Sequence, residues 1–117
     1  MKTLYLSGPM TGYADFNFPA FHAHAKRLRH KGYTVLNPAE NFGGDTARPR
    51  ETYLREDLGM VMKADAIAVL PRWNYSKGAR LEVAVACAIG VPVLTVETLE
   101  PVPDAQCRLE VTEADDE

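Results

Sequence analysis

A chain of 117 residues with 46% apolar and 25% charged residues has the make-up of one ordinary globular domain, with no room for a separate regulatory module. Its formal net charge of −3 argues against a nucleic-acid polymer as partner, because phosphate backbones are held by clustered Lys and Arg. No apolar run approaches the roughly 20 residues that cross a bilayer, so no membrane partner is expected either.

The amino-terminal stretch holds one lysine and a short apolar run that meets Gly8-Pro9, and it reads as a buried strand over residues 3–7 rather than as a signal peptide. Residues 8–12 form a loop bracketed by glycines. Residues 17–31 place Phe18, Phe21, Ala25 and Leu28 at helical spacing, with Asn17 as N-cap and Gly32 as stop. A second strand spans 33–36. Residues 37–48 are long, polar and glycine-containing, which predicts a mobile surface loop. A second helix follows over 50–63 with Leu54, Leu58, Val61 and Met62 inward. The third strand spans 66–70 and ends at Pro71. A third helix covers 77–89, closed by Gly90, and a fourth strand covers 91–96. Residues 1–103 make one domain, and 104–117 form a tail whose acidic end, 110–117, frays into solvent. Cys87 lies in a helical stretch and Cys107 in the tail, settings that suggest neither a disulfide framework nor a metal site. A reducing, cytoplasmic location fits best.

This alternation predicts an α/β fold of the flavodoxin or Rossmann-like kind: a parallel sheet of four to five strands in the order 2-1-3-4, with helices on both faces in three layers. A fifth strand is either missing or built from residues after Pro103. Ligands in such sheets bind at the carboxyl ends of the strands, where the strand order reverses. That point lies between strands one and three, so the loops at 8–16 and 71–77 are where function is sought.

The third-strand loop runs Ser76-Lys77-Gly78-Ala79-Arg80-Leu81-Glu82. Ser76 is a good N-cap, and Gly78 lets an anion approach a helix N-terminus, whose free N–H groups and dipole favour a phosphate or carboxylate. The alternative is that Ser76 only caps the helix. Glu82 shares its face with Val85, Ala86 and Ile89. A carboxylate on an apolar stripe is costly unless paired or working, so Glu82 is either a nucleophile kept ionised by the helix N-terminus or a rim glutamate bonded to a loop. Asp57 sits with Leu54, Leu58 and Val61 on one face of the second helix. It is either an ion-pair member, with Arg55 or Arg80, or a second active-site carboxylate. Asp65, just before the third strand, reads as a capping or turn residue. Tyr5 is either a packing residue or a hydroxyl reaching the pocket, and Phe16 either packs or stacks a base. His22, His24 and His30 fall among Lys26, Arg27 and Arg29 on a solvated basic face.

Taken together, Tyr5-Leu6-Ser7-Gly8-Pro9-Met10-Thr11-Gly12, Arg55-Glu56-Asp57, Ala64-Asp65-Ala66-Ile67-Ala68-Val69-Leu70, Ser76-Lys77-Gly78-Ala79-Arg80-Leu81-Glu82-Val83-Ala84 and Gly90-Val91-Pro92-Val93 resemble the nucleoside deoxyribosyltransferase-like superfamily. The nearest likeness is to a phage and bacterial branch without an assigned activity. The resemblance implies that Glu82 is the nucleophile at the anomeric carbon, that Asp57 assists departure of the base, and that Tyr5 stands beside the nucleophile. It further implies that Ser7, Gly8, Pro9, Met10 and Gly12 line the sugar and base, where Phe16 is the candidate to stack the base, and that Ser76, Gly78 and Ala79 hold the 5′ end of the substrate. Base-exchanging members carry aspartate at the position of Ser76, whereas the nucleoside 5′-monophosphate N-hydrolases carry serine. The resemblance therefore points to hydrolysis of a small-molecule nucleotide without metal or cofactor, in a homodimer or higher homo-oligomer. Base exchange, or nucleotide binding without turnover, are the alternatives. Members often borrow an Asn or Ser from a neighbouring subunit's carboxyl-terminal part, and here only Thr98 and Thr112 could stand in. The expected mechanism separates the pKa values of the two acids, with Glu82 low through the helix dipole and Asp57 high through its apolar setting.

Overall fold

The computed structural model describes residues 2–103. Four parallel strands, β1 (Thr3–Ser7), β2 (Thr34–Leu36), β3 (Ala66–Val69) and β4 (Val93–Thr95), form one sheet in the order β2-β1-β3-β4. Three helices connect them: α1 (Phe18–His30), α2 (Arg50–Lys63) and α3 (Lys77–Ala88). The class, strand order and three-layer arrangement match the sequence expectation, and element ends move by only one or two residues.

Successive side chains of a strand point to opposite faces, and this alternation assigns each helix its side. Leu4, Leu6, Val35, Ala66, Ala68 and Leu94 share one face with Phe21, Ala25 and Leu28 of α1. Tyr5, Ile67, Val69 and Val93 share the other with Val61 of α2 and Ala79, Val83 and Ala86 of α3. Register brings the strands together at those positions: Leu4 lies opposite both Val35 and Ala66, and Tyr5 opposite Leu36 and Ile67. Tyr5 and Ser7, two residues apart, therefore both face the α2–α3 layer. That geometry founds the site.

Gly8 leaves β1 where the chain passes β3. A Cβ added there would stand 2.7 Å from Leu70 Cβ, well inside van der Waals contact, so glycine is a packing requirement of the sheet edge. Gly8→Ala is expected to lower stability by about 1–3 kcal/mol, read as a reduced urea midpoint at unchanged m-value.

Several local expectations are corrected. Residues Pro38–Gly44 form 3₁₀ turns where a mobile loop was expected. Buried Asn37 caps the segment by accepting from Ala39 N at 3.0 Å, and the Tyr53 hydroxyl donates to Asp45 O at 2.6 Å while accepting from Arg48 N at 2.9 Å. Asn17 precedes α1 but makes no capping bond. It sits in the left-handed region with Asp15 and Phe16, and its Nδ2 donates to Pro9 O at 2.9 Å, tying the β1–α1 loop to the helix. Met62 and Ile89 face solvent instead of the core, 64% and 50% exposed: Met62 lies about 100° around α2 from buried Val61, and Ile89 follows the last residue of α3. Asp65 is the turn residue expected, accepting from Lys2 N and Thr3 N at 3.0 and 2.9 Å.

Beside β4 the chain turns back: Thr95 N donates to Glu100 O and Val102 N to Val93 O, with an antiparallel bridge between Leu94 and Pro101; a fifth strand from residues after 103 would lie outside the described residues. Thr98 lies in this return, 2.8 Å from Thr95 through their hydroxyls. Thr112 and the tail at 104–117 lie outside the described residues. Cys87 is disulfide-bonded, which corrects the expectation of no cross-link. Among the described residues no helix is long and apolar enough to cross a membrane.

Candidate active site

The strand order reverses between β1 and β3, and a cleft of about 890 Å³ opens there at the carboxyl ends of the strands. Its walls are the β1–α1 loop, the β2–α2 segment and the start of α3. Of the site residues expected from sequence, Tyr5, Gly8, Pro9, Met10, Phe16, Asp57, Ser76, Gly78, Ala79 and Glu82 all line this one cleft. Gly12 does not. Ser7 is buried behind the wall, 1% exposed, and reaches the site only through Glu82.

Glu82 occupies the second turn of α3 on the stripe with Ala79, Val83 and Ala86, so it points at the sheet. Helical spacing puts i, i+3, i+4 and i+7 on one side, but the inner stripe runs through these residues and leaves Ile89 outside. The side chain is buried, and two hydroxyls from β1 meet it: Tyr5 OH donates to Oε2 at 3.0 Å and Ser7 Oγ donates to Oε1 at 2.6 Å. Each carboxylate oxygen is thus held by one donor, which fixes its rotamer and stabilises its anion.

Asp57 approaches from α2. It shares a hydrogen bond with Glu82 and accepts another from Asn41 Nδ2 at 3.0 Å. Its partners are therefore Glu82 and Asn41. Burial drives both acids upward. Glu82 is pushed to about 8 by desolvation first and the Asp57 charge second, partly opposed by Ser7 and Tyr5. Asp57 is raised to about 7 by desolvation, opposed by its bonds from Asn41 and to Glu82. The expected separation of one low and one high value is absent. A helix dipole acts within the first turn, and Glu82 lies beyond it, in the apolar layer beside a second acid. Both acids are raised together, and two acids in contact titrate as a pair. Tyr5, between the pair and the sheet, has its own hydroxyl pKa raised well above 10 by burial and by the Glu82 charge.

At the other wall Ser76 caps α3, accepting from Ala79 N at 3.2 Å. Capping and cleft lining are one arrangement here, since the same turn presents the first amides of α3 to the cavity. A Cβ on Gly78 would meet nothing within 4 Å, so space for a ligand lies directly before those amides. The rim carries Arg48, Arg50, Arg72 and Lys77, whereas the floor holds the two acids. Arg48 is clamped over the Phe42 ring at 4.4 Å and against Asp45 at 3.2 Å, and Arg72 lies over Tyr75 at 5.0 Å. Phe16 stands 44% exposed at the mouth, presented by the left-handed run at residues 15–17. An anionic group with a planar apolar appendage fits this distribution: cations outside, ring faces at the rim, acids at the base. Asn41, Arg48 and Tyr53 were not found by sequence reasoning. Asn41 and Arg48 belong to the β2–α2 segment, which has no periodicity to read, and Tyr53 lies in the first turn of α2 and bonds back to that segment.

Residues 2–95 match DUF4406, a domain of unknown function. No curated protein matches the chain. Among solved structures, a 2-deoxyribosyltransferase from Bacillus psychrosaccharolyticus is 23% identical, over 80% of this chain and 70% of that one, with a TM-score of 0.65. A 2-deoxyribosyltransferase from Leishmania mexicana is 25% identical, over 81% of this chain and 63% of that one, with a TM-score of 0.62. The fold is that of the nucleoside 2-deoxyribosyltransferases.

Proposed function

The chain belongs to the DUF4406 family, and we propose that it is an N-glycosidic bond hydrolase acting on a nucleoside 5′-monophosphate. The observation that carries this reading is Glu82, buried at the cleft floor, held by Tyr5 and Ser7 and bonded to Asp57. A glutamate so desolvated is costly unless it works, and the surrounding donors fit a nucleophile.

In this reading a Glu82 carboxylate oxygen attacks the anomeric carbon through an oxocarbenium-like transition state. The bond to the base breaks, its electron pair stays on the base nitrogen, and that nitrogen takes the proton from Asp57. Water, deprotonated by Asp57, then attacks the same carbon and frees Glu82 and the sugar phosphate. Tyr5 and Ser7 are positioning residues for the nucleophile. The 5′-phosphate sits before the amides of α3, with Ser76, Gly78 and Ala79. Because the two acids share a hydrogen bond, Asp57 must turn from Glu82 toward the base as the substrate enters.

Chromatography for free base, with a panel of nucleoside 5′-monophosphates and nucleosides, tests this. Release from monophosphates alone, lost in Glu82→Ala, is the expected result. Asp57→Asn should lose about 10²–10⁴-fold, and less on substrates with good leaving groups. The two deoxyribosyltransferase neighbours favour base exchange as the second reading. Release from nucleosides only when a second base is supplied would establish it instead. No release from any substrate, with thermal stabilisation by a nucleotide, would leave a binding protein.

A further inference from the structure

Asn41 lines the cleft and is bonded to Asp57, and the reading above gives it no role. It stands in an extended break between two 3₁₀ turns, held by left-handed Phe42 and Gly43. Its Nδ2 donates to Asp57 Oδ1 at 3.0 Å and lies 3.7 Å from Met60 Sδ, while the residue lines the cleft. The other groups acting on the pair are Tyr5 and Ser7 from β1, Glu82 from α3 and Glu56 on α2. The cations Arg48, Arg50, Arg72 and Lys77 are at the rim. Asn41 is thus the donor that faces Asp57, as Tyr5 and Ser7 are the donors that face Glu82.

Such a bond stabilises ionised Asp57, which is the wrong form for a general acid. We propose that Asn41 is a positioning residue that holds Asp57 as the ionised member of the pair, so that the shared proton rests on Glu82 until a substrate base competes for the Asn41 amide. When the base takes the amide, the proton passes from the Glu82 carboxyl to Asp57. This single transfer makes Glu82 the nucleophile and Asp57 the acid together, so the pair is armed by substrate. The inference rests on the hydrolase reading given above for the roles of the two acids.

The test compares wild type with Asn41→Ala and Asn41→Leu in pH–rate profiles on the monophosphate found to be cleaved. The free enzyme's titrations appear in kcat/KM and those of the substrate complex in kcat. Loss of the donor should move the acid limb of kcat/KM upward by about one pH unit, leave its alkaline limb nearly in place, and leave both limbs of kcat unmoved, because Asn41 has left Asp57 in the complex. Equal movement of both profiles would mean that Asn41 stays on Asp57 through turnover, and unmoved profiles would make it a structural residue. Either overturns the proposal. The same variants are followed without substrate by Tm against pH. An upward shift of its transition, together with no base release, would locate the failure in the hydrolase reading and not in the Asn41–Asp57 coupling.

Discussion

Glu82→Gln is expected to abolish base release and, at the same time, to make the protein more stable in mild alkali. The unfolded chain ionises both acids near pH 4, whereas the folded pair keeps its protons to about 7 and 8. Between those limits the unfolded state binds fewer protons than the folded one, so stability falls as pH rises from about 4 to about 8. The contribution is full below the unfolded values and lost as pH passes the folded ones. A glutamine cannot ionise and still meets Tyr5 and Ser7. At pH 5 the variant and parent should therefore melt together. Above pH 8 the variant should exceed the parent by on the order of 1–3 kcal/mol, or roughly 5–15 °C in Tm for a domain of this size. Scanning calorimetry at pH 5, 7 and 9 reads the difference. Parallel curves would show that the pair is not a site of stored desolvation energy, and residual base release in Glu82→Gln would remove Glu82 as nucleophile. Gain of stability with loss of activity is the pattern a working buried acid predicts.

What could be read from the sequence and what could not divides along one physical line. Period-two strands and 3.6-residue helices announce themselves, and they carried the sheet order and the cleft position, whereas the convergence of Tyr5, Asp57 and Glu82 came from the family resemblance. Glu82 was legible as an anomaly, a carboxylate on an apolar stripe. Backbone in the left-handed region leaves no such trace. Asn17 looked like an N-cap, and Residues 15–17 turn left-handed instead; residues 38–44 looked like a free loop, and Phe42 and Gly43 turn the same way to set Asn41 against Asp57. The pKa order was misread for a related reason. A helix N-terminus is visible in sequence, but the depth of Glu82 and the carboxyl placed beside it are products of packing, and they outweigh the dipole.

If the chain is the monophosphate hydrolase proposed above, Ser76→Asp is expected to turn its preference from monophosphates to nucleosides. Aspartate caps a helix as well as serine, so its carboxylate can accept the Ala79 N–H that Ser76 now takes at 3.2 Å, and α3 should be preserved. What changes is charge. A dianionic phosphate placed before the first amides of α3 would meet an anion, and like charges brought together cost several kcal/mol. The kcat/KM for monophosphates should fall about 10²–10³-fold, while that for uncharged nucleosides stays level or rises. The ratio of the two is the decisive quantity, because it cancels any general loss of folding. An equal fall for both would make Ser76 a cap and nothing more. An unchanged preference for monophosphates would move the phosphate away from α3, toward the rim cations Arg48, Arg50, Arg72 and Lys77, and the sugar would then lie reversed along the cleft.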